Sequence, residues 1–100
     1  MLTIPQIQNA VENSTHGYPI RKVFLFGSYA NGTATEGSDV DILVEFCTNP
    51  ISYFKVGGFL ETLKEALGVD VDLLTLPLEN PPQHFRIGRT VKLYEAPDER

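Results

Sequence analysis

The sequence has little of several features that define other classes of protein. Its single cysteine, Cys47, cannot form a disulfide within the chain. The N-terminus carries neither a cationic leader nor an apolar run of signal-peptide length. No apolar stretch reaches the roughly 20 residues that a membrane-spanning helix needs, and no internal repeat is present. These absences predict a cytoplasmic protein without a membrane partner.

Positive charge is also scarce. The chain has 8 Lys and Arg residues against 13 Asp and Glu residues, which gives a formal net charge of -5. Because binding to duplex nucleic acid depends on basic side chains that neutralise phosphates, we expect no duplex partner. With 100 residues, 42% of them hydrophobic, the chain can bury one core and is too short for two. We therefore expect residues 1–100 to form a single domain.

Apolar residues at helical spacing predict two helices. Thr3 and Gln6 fit a capping box in front of the first, which we expect over residues 4–15. A second apolar stripe runs from Val56 to Leu67 with the spacing of one helix face. Gly68 follows it directly and is the residue type that most often ends a helix. The glycine pair near the stripe's beginning lowers helix propensity, so the sequence does not fix where this helix starts.

Runs of β-branched and aromatic residues predict the strands. We expect three, over residues 20–26, 39–46 and 69–75, and a fourth at a sheet edge over residues 90–94. Three prolines mark a loop between the third and fourth strands, and residues 83–88 are a candidate short helix within that connection. Alternating helices and strands indicate an α/β or α+β fold, a small mixed β-sheet with flanking helices.

Acidic side chains alternate along the second predicted strand. Asp39 and Asp41 share one strand face, with Cα atoms roughly 6.5 to 7 Å apart. Mg²⁺ prefers oxygen ligands, and two ions about 3.5 to 4 Å apart stabilise the attacking and leaving oxygens of an in-line displacement at phosphorus. A third carboxylate on a neighbouring strand would complete such a site and accept the proton of the attacking hydroxyl. Asp70 and Asp72 share one face of the third strand, so periodicity leaves both as candidates.

A glycine-serine turn lies between the first two predicted strands. Gly27 lets the backbone approach a phosphate, while Ser28 and the N–H groups of a short helical turn would donate hydrogen bonds to anionic oxygens. A Gly-Ser dipeptide alone usually marks a turn, and an Asp-x-Asp motif alone is nearly as unspecific. Their order along the chain places polar groups at strand ends, where α/β sheets bind ligands. Together the motifs favour a site for a nucleoside triphosphate.

At these residues the chain resembles the minimal nucleotidyltransferase (MNT) family, a compact branch of the DNA polymerase β-like nucleotidyltransferase superfamily. Ten residues separate Ser28 from Asp39, as in the GS-x10-DxD pattern of that family. Residues 27–32, Gly-Ser-Tyr-Ala-Asn-Gly, followed by Ser-Asp-Val-Asp at 38–41, are similar to its common GSYARG…SDxD form. Asn31 departs from the pattern, since family members commonly carry arginine or lysine there. The missing charge would weaken phosphate or partner contacts and leaves the metal ligands in place.

The resemblance implies a nucleotidyltransferase fold and an activity that needs Mg²⁺ and uses ATP as substrate. It implies that Gly27 and Ser28 hold the triphosphate. It also implies that Asp39 and Asp41 bind Mg²⁺, and that Asp72 completes the set of catalytic and metal-binding carboxylates. The choice of Asp72 as the third carboxylate rests on the family pattern alone.

The resemblance also implies a partner. MNT proteins are frequently antitoxins paired with a HEPN-domain ribonuclease toxin, and some attach AMP from ATP to a tyrosine of that toxin. We therefore expect a protein adenylyltransferase that acts on a HEPN toxin. Two alternatives stay open: a nucleotidyltransferase that modifies a small-molecule hydroxyl, and a non-catalytic antitoxin that inhibits its partner by binding. Apolar surface on so small a domain is also compatible with an oligomer.

Overall fold

The computed structural model describes residues 1–47, 52–76 and 89–97, and they contain three helices and four strands. In chain order these are α1 (Ile4–Ser14), β1 (Ile20–Phe26), α2 (Gly27–Asn31), β2 (Val40–Phe46), α3 (Tyr53–Leu67), β3 (Val71–Leu76) and β4 (Val91–Glu95). The predicted short helix over residues 83–88 lies outside the described residues. None of the helices in the described ranges is long and apolar enough to cross a membrane.

The four strands form one mixed sheet in the order β3-β2-β1-β4. β1 pairs antiparallel with β2 and with β4, whereas β2 and β3 are parallel neighbours. The prediction of a mixed sheet with flanking helices is therefore confirmed, as an α+β fold, and β4 is an edge strand as expected. Because β2 and β3 are parallel, their first residues lie at the same end of the sheet.

The capping box predicted for α1 is present. The Thr3 hydroxyl accepts a hydrogen bond from the Gln6 N–H at 3.2 Å, and the Gln6 side chain accepts one from the Thr3 N–H at 2.8 Å. Such caps contribute about 1 kcal/mol to helix stability because they satisfy N–H groups that have no partner within the helix. Ile7 and Val11 lie on one face of α1 and are fully buried. The capped helix therefore presents an apolar face to the core.

The third helix begins earlier than its apolar stripe. Its first residue is Tyr53, because the Ser52 hydroxyl accepts a hydrogen bond from a first-turn N–H and caps the helix. One of the two glycines in its first half has a packing role: a Cβ on Gly58 would lie 2.9 Å from the hydroxyl oxygen of Tyr18. The Tyr18 ring packs in turn against Phe59, with ring centroids 5.6 Å apart.

The core lies between α1, α3 and one face of the sheet. Its largest fully buried side chains come from all of these elements: Phe59, Ile7, Leu25, Ile42, Leu63, Leu93, Val11, Val23, Val40 and Val44. Burying one such side chain stabilises the fold by roughly 1.5 to 3 kcal/mol. In β2 the fully buried residues are Val40, Ile42 and Val44, so the residues between them point to the opposite face.

Candidate active site

Two of the predicted carboxylates meet where β2 and β3 pair. Asp41 is the register partner of Asp72, on strands that run about 4.8 Å apart. Both flanking residues of Asp41, Val40 and Ile42, are fully buried in the core. Since successive side chains alternate between faces, Asp41 points away from the core beneath α1 and α3, and Asp72 beside it shares that face. The sheet thus brings two acidic side chains together outside the core.

The surroundings of Asp41 favour its neutral form. They raise the pKa of its carboxyl from the ordinary 3.8 to about 6. Desolvation by burial is the largest cause, followed by the negative charge of Asp72, a side-chain hydrogen bond with Asp72, and the charge of Asp39. The neighbouring Leu43, on the same face of the strand, is only 3% exposed, in keeping with partial desolvation of this site. The group is therefore poised to gain from a nearby cation.

The other two candidate aspartates, Asp39 and Asp70, are both exposed. Asp70 is exposed, and its backbone carbonyl accepts a hydrogen bond from the Val40 N–H at 3.0 Å. Asp70 is not among the groups that shift the pKa of Asp41, whereas Asp72 and Asp39 are. Asp39 is exposed and immediately precedes β2. Within the described part of the chain, no three His, Cys, Asp or Glu side chains are gathered as a metal-binding group. The structure joins Asp41 to Asp72 and leaves Asp39 outside that contact.

Gly27 lies directly against the carboxylate of Asp41. Its φ of 73° is in the left-handed region that favours glycine. A Cβ built on Gly27 would collide with Oδ2 of Asp41 and lie 2.9 Å from its Cγ. The preceding residue, Phe26, is the register partner of Asp41. The sequence assigned Gly27 to close approach of a phosphate, and the structure adds a second requirement, namely space for the Asp41 side chain.

The helical turn that follows Gly27 is the short helix α2. Buried side chains of Tyr29 and Ala30 hold α2 to the core. It ends at Gly32, whose N–H donates to the Ser28 carbonyl and whose φ is 78°. No side chain caps the N-terminus of α2 in the described structure. Ser28 is half-buried near that uncapped end, beside the glycine that borders the carboxylate pair.

Sequence reasoning did not identify Thr35 as part of this region. Its backbone N–H donates to the Ser38 hydroxyl at 2.8 Å, in the segment that leads to Asp39. The sequence signal was a serine directly before an aspartate in a polar, glycine-containing loop, a residue type that often hydrogen-bonds nearby backbone. The partner of that serine could not be deduced from spacing alone.

Comparison with known proteins establishes the family. Residues 7–93 match the model of the nucleotidyltransferase domain family. The chain belongs to this family. The matched range includes every residue that the sequence assigned to the site, from Gly27 to Asp72.

Relatives of known name share part of this sequence. The chain is similar to the protein adenylyltransferase MntA of Thermococcus cleftensis, with 36% identity over 69 residues that cover 63% of this chain and 70% of the relative. Three relatives from Methanocaldococcus jannaschii are 40%, 44% and 46% identical. Those alignments cover 56%, 52% and 53% of the relatives, so the chain spans about half their length.

Solved structures share the fold. A toxin-antitoxin complex with AMP-PNP contains a chain that superposes with a TM-score of 0.68 at 22% identity, covering 89% of this chain and 73% of that one. A complex of a tri-AMPylated HEPN toxin from Shewanella oneidensis with its MNT antitoxin gives a TM-score of 0.60 at 20% identity, covering 93% of this chain and 70% of that one. At these identities the likeness is one of fold, and it confirms the expected nucleotidyltransferase fold.

Proposed function

We propose that this chain is a Mg²⁺-dependent protein adenylyltransferase that transfers AMP from ATP to a tyrosine hydroxyl of a HEPN-domain toxin and thereby acts as its antitoxin. The observation that carries the proposal is the contact of Asp41 with Asp72 beside Gly27, on the face of the sheet opposite the α1–α3 core. The named relative MntA and the AMPylated HEPN toxin in a complex with an MNT antitoxin support the acceptor class.

The carboxylates have the chemistry of a divalent cation site. They supply hard oxygen donors, which Mg²⁺ prefers. The raised pKa of Asp41 reflects, after burial, repulsion by its acidic neighbours, which a bound cation would relieve. We assign Asp39, Asp41 and Asp72 as the residues that hold the metal. When bound, Mg²⁺ supplies charge neutralisation to the triphosphate and to the leaving pyrophosphate.

The glycine-serine turn is assigned to the triphosphate. The backbone N–H groups at the start of α2, which no side chain caps, directly follow Gly27 and would donate to the phosphate oxygens. The Ser28 hydroxyl adds a donor for an anionic oxygen. Because the same glycine borders Asp41, the triphosphate would lie next to the carboxylate pair. Contacts that hold the triphosphate in this position would orient its α-phosphorus for attack by the acceptor hydroxyl.

The acceptor side of the reaction is assigned to Asp72. Its side chain is exposed while that of Asp41 is half-buried, so a hydroxyl that arrives from solvent meets Asp72 first. Asp72 would accept the hydroxyl proton as the oxygen attacks the α-phosphorus. A phosphorus–oxygen bond to the tyrosine forms, the bond from the α-phosphorus to the bridging oxygen breaks, and pyrophosphate leaves. The balanced products are an adenylylated tyrosine, pyrophosphate and one proton.

Labelled ATP tests the proposal. The purified chain, Mg²⁺, α-³²P-ATP and a cognate HEPN-domain toxin should give a labelled toxin, and Tyr→Phe replacement on the toxin should remove the label. The Asp41→Asn variant should transfer nothing, whereas Asp70→Asn, a change to an exposed aspartate outside the pair, should behave as wild type. Toxin neutralisation by Asp41→Asn equal to that of wild type would support inhibition by binding alone, and label only on small hydroxyl compounds would support the other alternative.

A further inference from the structure

A hydrogen-bonded turn closes the segment between α2 and β2. The Ser38 hydroxyl accepts a hydrogen bond from the Thr35 N–H at 2.8 Å. The Ser38 N–H donates in the opposite direction to the Thr35 carbonyl at 3.0 Å. Two bonds between the same pair of residues fix a four-residue turn with Glu36 and Gly37 exposed at its tip. Ser38 itself is half-buried, so the turn is held against the protein rather than standing clear of it.

Asp39 follows this turn and is held on both sides by backbone contacts. On its other side, the Val40 N–H donates to the Asp70 carbonyl at 3.0 Å and starts the sheet. Asp39 precedes β2 and has no position in the sheet register. Among the described residues, no hydrogen bond holds its exposed side chain. The backbone between Ser38 and Val40 therefore sets the direction in which the Cα–Cβ bond of Asp39 points.

We infer that Ser38 is a positioning residue that directs Asp39 toward the Asp41–Asp72 pair. The inference rests on the proposed function, which makes Asp39 a metal ligand. Cation ligands must converge on one point, and a ligand on an unfixed loop loses conformational entropy when the cation binds. The Ser38 hydroxyl ties the loop before binding and reduces that loss. Its contact is with Thr35, so Ser38 acts through the loop and does not touch the substrate or metal itself.

Mn²⁺ binding by the purified full chain, measured by electron paramagnetic resonance without nucleotide, tests this role independently of transfer. Ser38→Ala removes the acceptor of the Thr35 N–H, and we expect Mn²⁺ affinity to fall about fivefold to tenfold, the effect of one hydrogen bond. Ser38→Thr keeps the hydroxyl and should restore most of the affinity. Thr35→Val is the matched control, because it removes only the long contact of 3.4 Å between the Thr35 and Ser38 hydroxyls and keeps both backbone groups of the turn, and its affinity should stay within about twofold of wild type.

A double-mutant cycle separates positioning from general loosening of the fold. In an Asp39→Asn background, Ser38→Ala should cause no further loss, because the effect passes through the Asp39 carboxylate. Equal losses with and without Asp39, or wild-type affinity in Ser38→Ala, would overturn the inference. If Ser38→Ala does not fold, Ser38→Cys, a similar shape with a weak acceptor, gives the same comparison.

The two proposals fail in different ways. Mn²⁺ binding that depends on Ser38, together with no labelling of any toxin, would overturn the proposed acceptor and leave the positioning role standing. A wild-type chain that binds no Mn²⁺ would overturn both the metal assignment and the role of Ser38. Labelling of the toxin by Ser38→Ala with unchanged Mn²⁺ affinity would overturn the positioning role alone.

Discussion

The carboxylate of Asp41 occupies the space beside the Cα of Gly27, so a Cβ on the glycine would collide with Oδ2 of the aspartate. We therefore expect Gly27→Ala to lower the transfer rate at least about 100-fold, the effect of displacing a reacting group by around 1 Å. Gly32→Ala is the matched control, since Gly32 also has a positive φ, 78°, but a Cβ there meets nothing within 4 Å. It should lose about 1 kcal/mol of stability and keep its activity. Urea unfolding and transfer rates measure the two effects, and equal activity losses in both variants would contradict this reading.

The local features of this fold could be predicted from the sequence because each depends on residues close together in the chain. The capping box joins Thr3 to Gln6, three residues apart, and the structure contains both of its hydrogen bonds. The strands could be predicted because β-branched and aromatic residues cluster within each of these short segments. The sequence left the start of α3 open, because two glycines weaken the helical pattern and Ser52 caps the helix before the apolar stripe begins.

The contacts between distant segments could not be predicted in the same way. Asp70 and Asp72 are two residues apart, so the alternation of side chains along a strand cannot tell them apart. Which of the two lies beside Asp41 depends on how β3 is aligned with β2. That register is set in the core, where Val40 pairs with Val71 and both are buried. A slip of one residue would turn every side chain of β3 to the other face. The clearance between Gly27 and Asp41 likewise depends on three-dimensional placement that no spacing encodes.

The two neighbouring glycines of α3 differ in what surrounds them, and this predicts opposite responses to alanine. A Cβ on Gly57 meets nothing within 4 Å, so Gly57→Ala should raise the free energy of unfolding by about 0.5 to 1 kcal/mol through helix propensity. A Cβ on Gly58 would lie 2.9 Å from the Tyr18 hydroxyl, so Gly58→Ala should gain less or destabilise. Urea unfolding measures both. In a Tyr18→Phe background the two substitutions should become similar, and a persistent difference there would exclude the hydroxyl as its cause.

The pKa of Asp41 predicts how stability without metal depends on pH. Its folded value, about 6, exceeds the ordinary 3.8 expected in the unfolded chain, so the folded state binds the proton more tightly. The stabilisation from this group is complete below about pH 3.8 and is lost as the pH rises through 6. In EDTA, Asp41→Asn should therefore be at least as stable as wild type at pH 7, and its advantage should disappear at pH 4. Asp70→Asn should follow the wild-type pH profile. A variant at position 41 that is less stable than wild type at pH 7 would reveal a structural role for this carboxylate.

A bound divalent metal should reverse the loss of stability that ionisation of Asp41 causes at neutral pH. The cation favours the ionised carboxylates, which repel one another without it. A ligand that binds only the folded state stabilises it by about 2.7 kcal/mol at one hundred times its dissociation constant. We expect saturating Mg²⁺ or Mn²⁺ to raise the Tm of the wild-type chain, and to raise it much less in Asp41→Asn and Asp72→Asn.

Asp70→Asn is the control of equal charge change and should respond as wild type. Asp70 contributes its backbone carbonyl to the sheet, and its charge does not contribute to the raised pKa of Asp41. Differential scanning fluorimetry with and without metal measures these shifts. A Tm that rises equally in all four proteins would place the bound cation elsewhere on this acidic chain and remove the metal from the proposed mechanism.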